Sequence, residues 1–176
     1  SWAIPSLQSL GRGERSFCGH DEDVITMAVA AARPCLVDDG AGRGLSAVDA
    51  LLLASTTLPF ADRQNSTLVG EALGLHEDLH TADICGSQRA ATSALMQALR
   101  NAPDQTSLVV AAERRYSKPG SVQELTSGDG AAALRIGSEN VLARFIGSHT
   151  VSRDLVDHYR SAGSSVDYTL EERWIR

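Results

Sequence analysis

The stretch Thr81-Ala82-Asp83-Ile84-Cys85-Gly86-Ser87-Gln88-Arg89-Ala90-Ala91 decides how the chain folds. Thr81–Ile84 reads as a short strand, and Gly86–Leu99 as a helix rich in Ala. Cys85 therefore stands where a strand ends and a helix begins. Unpaired N–H groups and the positive end of the helix dipole at such a place favour a thiolate. The same N–H groups can hydrogen-bond an oxyanion when a thioester carbonyl is attacked. Gly86 removes bulk beside the sulfur, and Ala90-Ala91 let the helix approach the sheet closely. A buried structural cysteine, a frequent place for a free thiol, fits the same local pattern.

On the N-terminal side, Val48–Ala54 is a continuous apolar run ending at Ser55-Thr56-Thr57, the pattern of a buried parallel strand. Asn65–Leu73 reads as a helix stopped by Gly74. His20-Asp21-Glu22-Asp23 opens an earlier helix, with Asp21 as its cap and Val24, Ile25, Ala28, Val29 and Ala32 at helical spacing. Pro34 and Asp38-Asp39-Gly40 close it. Gly40-Ala41-Gly42-Arg43-Gly44 precedes a strand where a dinucleotide fingerprint would follow one, so it reads as a flexible connection.

On the C-terminal side, Ser107–Ala112 is another strand. Ala131–Ile136 and Val141–Ile146 are two more, divided by Gly137-Ser138-Glu139-Asn140 as a hairpin turn. Asp154–Arg176 is polar, with Tyr159, Tyr168 and Trp174 as isolated anchors. Strands alternating with helices, then a hairpin, predict an α/β fold with a mixed sheet covered by helices.

A length of 176 residues suits one domain. With 22% charged residues and a net charge of −6, the composition is that of a soluble globular protein and argues against nucleic-acid or anionic-membrane partners. No apolar run reaches the length of a membrane span. Ser1-Trp2-Ala3-Ile4-Pro5 has neither a basic nor a continuous apolar segment, so no signal peptide is expected there. Cys18, Cys35 and Cys85 are odd in number, widely spaced and outside any CxxC, which predicts reduced thiols and a cytoplasmic location.

Two further motifs bear on chemistry. His76-Glu77-Asp78-Leu79-His80 matches HExxH, which binds metal only when both imidazoles share one helix face. Gly74 has just ended a helix and Thr81 starts a strand, so a polar loop and no metal site are expected. Ser127-Gly128-Asp129-Gly130-Ala131-Ala132-Ala133 is a tight turn whose Ala run admits close packing. It serves equally as a structural turn or as a wall of an active site.

Taken in order, these features resemble the ketoacyl-ACP synthase III and HMG-CoA synthase branch of the thiolase superfamily. Gly13-Glu14-Arg15 with Asp21–Ala32 resembles the entry segment, and Leu53-Ala54-Ser55-Thr56-Thr57 a strand end facing the active site. Ile84-Cys85-Gly86 resembles the nucleophile elbow, and Gly128-Asp129-Gly130 the glycine turn. Arg144–His149 and Asp157–Arg160 are closer to HMG-CoA synthase-like proteins that carry, or work with, a small OB-fold domain.

The resemblance implies that residues 1–176 form the N-terminal half of a duplicated five-layer thiolase-like fold, without its first strand, the C-terminal half lying outside the chain. It implies an acyltransferase that loads Cys85 from acyl-CoA or acyl carrier protein and then performs a Claisen-type condensation. Gly86, Thr56, Gly128, Asp129 and Gly130 would line the site or its oxyanion pocket, with no tightly bound cofactor. A homodimer, the missing half, or an OB-fold protein would be the partner. The alternative is a non-catalytic thiolase-like subunit that scaffolds or binds acyl thioesters. The family's catalytic His and its neighbour have no match here, and His149 and His158 do not stand in the place of that base. Thr56 occupies the place where HMG-CoA synthases carry a Glu, as in ketoacyl synthase III.

Overall fold

The side chains of Ala50–Ala54 are all apolar and every residue is buried, and this strand, β1, organises the rest. A computed structural model describes residues 13–37, 48–102, 105–154 and 158–169. The expectations for Ser1–Pro5, Gly40–Gly44, Asp157 and Trp174 lie outside the described residues. The chain divides into a larger unit, Ser16–Arg114 with Asp129–Arg144, and a smaller one holding Arg115–Gly128 and the segments before Ser16 and after Arg144.

In the larger unit, β1 is flanked by two parallel strands, β2 (His80–Ile84) and β3 (Ser107–Glu113). The edge strand β4 (Gly130–Ile136) runs antiparallel to β3, giving the order β2-β1-β3-β4. Side chains alternate across the sheet. Leu51, Leu53, Leu108 and Val110 pack under α1 (Val24–Ala32) and α2 (Asn65–Leu73). Leu52, Ala54 and Val109 pack under α3 (Ala90–Asn101) through Ala90, Ala94 and Ala98. The expected mixed sheet with helices on its faces is therefore present.

Local chemistry sets the helix ends. Asp23, rather than Asp21, caps α1. Its carboxylate accepts the Thr26 N–H at 2.8 Å, and the Thr26 hydroxyl accepts the Asp23 N–H at 2.7 Å. Gly74 ends α2 with φ of 70°, a left-handed conformation that favours glycine.

The second half of the expected hairpin does not form. Residues 141–146 have no regular structure, and Leu142 and Ile146 are fully exposed. Apolar residues fall on both alternating positions there, so no single face could be buried by pairing with β4. Asn140 takes a φ of 50°, but the expected hairpin turn at Gly137–Asn140 joins β4 to no second strand.

Within the smaller unit, a short helix α4 (Val122–Thr126) is capped by Ser121, whose hydroxyl accepts the Glu124 N–H. Tyr159 and Tyr168 are not isolated. They pair across a two-stranded ladder, β5 (His158–Tyr159) and β6 (Tyr168–Thr169), with ring centroids 5.2 Å apart. Asp167 lies between Arg115 at 3.4 Å and Arg160 at 3.6 Å.

Candidate active site

Parallel pairing brings the carboxyl ends of β2, β1 and β3 to one edge of the sheet, where open α/β sheets bind ligands. Ala54 is in register with Ile84 and Ala111. The Ser55 N–H still donates to the Ile84 carbonyl at 3.1 Å, so the ladder holds the two emerging loops side by side. Cys85 is the first residue past β2, and Thr56 the second past β1. The antiparallel β4 starts at the same edge, with Gly130 opposite Glu113.

Cys85 is exposed, against intermediate burial for Cys18 and Cys35. Gly86 follows it with φ of 89°, open to this residue type without strain, and no neighbouring atom crowds its α-carbon. The helix does not begin at Gly86. It begins at Ala90, and Arg89 gives it no side-chain cap. The Ser87 hydroxyl accepts the Arg89 N–H at 3.0 Å, a local turn that competes with helix. The dipole acts within the first turn only, so it does not by itself account for activating a thiol at Cys85.

Thr56 directs both of its donors to one carboxylate. Its N–H reaches Glu113 Oε2 at 3.0 Å, and its hydroxyl donates to Glu113 Oε1 at 2.5 Å. It is a wall of the edge and does not offer those donors to an oxyanion. One residue on, the Arg114 N–H donates to the Thr57 hydroxyl at 3.1 Å, so the ends of β1 and β3 are stitched twice. Glu113 had no role in the sequence reading. The available signal was an acid closing the apolar strand Ser107–Ala112.

Asp129 and Gly130 stand further along the edge. The Asp129 carboxylate accepts the Cys18 N–H at 3.1 Å, and its N–H donates to the Ser16 carbonyl at 2.9 Å. The turn therefore locks the entry segment in place. Burial foremost, then the Asp129 hydrogen bond and charge, push the Cys18 thiol above its ordinary pKa. Burial does the same to Cys35, against an opposing influence of Arg135. Gly128 belongs to the smaller unit.

Asp83, two residues before Cys85, also escaped the sequence reading. Its carboxylate caps α2 by accepting the Asn65 N–H at 2.8 Å, the Ser66 N–H at 2.7 Å and the Asn65 side-chain amide at 2.9 Å. Burial, the largest influence, pushes its carboxyl up. The bonds from Asn65 and Ser66 together outweigh it and hold the group below the usual carboxylate range.

His76 and His80 share no helix. His76 lies in a loop, its Nε2 at 2.8 Å from the Val48 carbonyl, and His80 opens β2. Among the described residues no cluster of three or more metal-ligating side chains occurs. None of their helices is long and apolar enough to cross a membrane. A cavity of about 230 Å³ lies within the smaller unit, lined by Arg115, Tyr116, Lys118, Asp167 and Tyr168.

No family model matches the chain. It is 31% identical to the hydroxymethylglutaryl-CoA synthase of Archaeoglobus fulgidus over 154 residues, 86% of this chain and 44% of that protein. Among solved structures, MvaS in complex with 3-hydroxy-3-methylglutaryl coenzyme A shares its fold with a TM-score of 0.79 at 21% identity. That match covers 96% of this chain and 41% of the other. A 3-oxoacyl-(acyl-carrier-protein) synthase III matches with a TM-score of 0.67 at 18% identity, over 93% of this chain and 56% of that one. The chain thus spans less than half the length of the curated relatives it matches.

Proposed function

Since this chain belongs to the thiolase superfamily, in the branch of HMG-CoA synthases and ketoacyl-ACP synthase III, we propose that Cys85 takes up an acyl group from a thioester. The observation that carries this is an exposed thiol at the carboxyl end of a parallel strand, beside the unobstructed Gly86 and next to the end of β1. The sulfur attacks the thioester carbonyl and the carrier leaves as a thiol, giving acyl-Cys85. The carrier is CoA or an acyl carrier protein, and this exchange requires no tightly bound cofactor. In a complete enzyme a carbanion then attacks the acyl carbon in a Claisen-type condensation. Generating that carbanion needs a base and a second set of oxyanion donors. We assign those to the part of the relatives' length that this chain does not span, and read Ser1–Arg176 as the N-terminal half.

The distance of Cys85 from the start of α3 at Ala90, beyond the reach of that helix dipole, favours a second reading, a thiolase-like subunit that binds acyl thioesters without completing a reaction. Leu134 on the edge strand β4 is 52% exposed, a surface for the second half, a second copy or a small OB-fold partner.

Intact-mass measurement after incubation with acetyl-CoA or acetyl carrier protein tests the proposal. The wild-type chain gains one acetyl group, Cys85→Ala gains none, and neither forms a condensation product. An acetyl group on Cys85→Ala would remove Cys85 from its role. Binding of the thioester without transfer would favour the second reading.

A further inference from the structure

His80, Ala50 and Ser107 are the first residues of β2, β1 and β3, and they stand side by side in register. All three lie on the face of the sheet that α3 covers, because Ala82, Leu52 and Val109, two residues further on, pack there. Ala50 and Ala98 leave space between this row and the last turns of α3, a cleft of about 290 Å³. Ala50, Leu52 and Ala98 supply its apolar lining, and His80, Gln97, Asn101, Gln105 and Ser107 its polar lining. Ser107 is only 1% exposed, yet its hydroxyl makes no hydrogen bond among the described residues. The side chains of His80, Gln97, Asn101 and Gln105 make none there either. A hydroxyl withdrawn from water without a partner is unfavourable, so this lining is completed by a ligand that bonds to it. Among the described residues no charged side chain lines the cleft. It also lies at the C-terminal end of α3, the negative end of the helix dipole, which disfavours an anion.

We propose that this cleft binds a neutral, planar molecule whose edge carries a hydrogen-bond donor and an acceptor side by side, the chemistry of a purine base such as adenine. A carboxamide pairs with such an edge through two parallel bonds, as Asn and Gln do with adenine. Gln97, Asn101 and Gln105 each bring one carboxamide to the cleft. The Ser107 hydroxyl and the His80 imidazole rise from either side of Ala50, two strand spacings or about 10 Å apart, and bond the remaining ring nitrogens. The apolar lining takes the face of the ring. A ribose on the base extends past the exposed Gln97 and Asn101 into solvent, where a phosphate finds no cation of the lining. From His80 to Ile84 the strand β2 is about 13 Å long, so the cleft stands apart from Cys85 and does not depend on the role of that thiol.

Isothermal titration calorimetry of the chain with adenine, adenosine, AMP and ribose tests this, with Asn101→Ala, Ser107→Ala and a sample briefly labelled at Cys85 by iodoacetamide alongside. Adenine and adenosine should bind saturably at one site, and ribose should not bind. AMP should bind about twofold to fivefold more weakly than adenosine, because its phosphate meets the carbonyl end of α3. Asn101→Ala and Ser107→Ala should each weaken adenine binding by about fivefold, the effect of one lost hydrogen bond. Asn101 is exposed, so its variant carries the test should Ser107→Ala fold poorly. Labelling Cys85 should leave the affinity for adenine unchanged. No saturable binding of adenine, ribose bound as well as adenosine, or an affinity unmoved by Asn101→Ala would overturn the proposal. So would AMP binding more tightly than adenosine, or loss of adenine binding on labelling Cys85, which would move the base to the other end of the strands.

Discussion

Strand β2 serves two helices and treats their N-termini in opposite ways. At Asp83 the start of α2 is closed: one carboxylate gathers two backbone N–H groups and an amide, and Asn65 and Ser66 are almost wholly buried. The helix α3 begins only at Ala90, after a five-residue loop that starts with Cys85. Arg89 supplies no cap, the chain from Cys85 to Arg89 is irregular and exposed, and Gly86 takes a left-handed turn. A filled helix end stabilises because orphan donors find a partner inside the protein. At α3 the preceding loop supplies the partners instead: the Ser87 hydroxyl accepts the Arg89 N–H and the Ser87 carbonyl accepts the Ala90 N–H, each at 3.0 Å. The difference between the two ends separates what holds this edge of the sheet from what can react there.

The largest effect should come from breaking the closed end. Asp83→Ala strands the Asn65 and Ser66 donors in a buried place. It should cost about 2 kcal/mol of unfolding free energy, between a lost cap and a lost charge-assisted bond. Urea unfolding of the variant against wild type measures it. A loss below about 0.5 kcal/mol would mean that water replaces the carboxylate and that the closed end is not a structural device.

The contrast at β2 also shows what a sequence makes visible. The apolar runs at Ala50–Ala54 and Ser107–Ala112 predict their strands because a strand buried on both faces has little other composition open to it. The Cys85-Gly86 junction was legible from a different signal, the Gly that follows a short strand and precedes an Ala-rich helical stretch. The start of α3 was not. Ser87 and Gln88 suit a helix by propensity, and the Ser87 side-chain turn prevails only in three dimensions. Asp83 and Glu113 were invisible as partners because their ligands lie 17 and 57 positions away, at Ser66 and Thr56. The strand expected at Val141–Ile146 failed because pairing depends on an available edge and a buried face, neither of which propensity encodes.

The exposed loop after β2 can be tested by comparing thiols. Cys85 is exposed, whereas Cys18 and Cys35 are partly covered, and burial pushes both of their pKa values up. Brief alkylation near pH 7.5 should label Cys85 at least about ten times faster than either of the others. Equal labelling of Cys18 would show that its hydrogen-bonded turn with Asp129 opens readily, and would weaken the claim that reactivity is confined to the loop after β2.

The smallest effect distinguishes the two ends by pH. Asp83 titrates below its value in the unfolded chain, which is about 3.9. A depressed carboxyl stabilises the fold fully at pH values above the unfolded pKa, and that contribution disappears as pH falls through the folded one. Wild type should therefore keep its advantage over Asp83→Asn between pH 7 and about pH 5, then lose it progressively below about pH 4. At low pH a protonated Asp83 offers α2 little more than the amide does, so the two stability curves should converge. Urea unfolding of both proteins at pH 7, 5, 4 and 3 supplies the curves. A gap that stays constant to pH 3 would mean that Asp83 holds Asn65 and Ser66 through shape rather than charge. The closed end would then owe its strength to packing rather than to electrostatics.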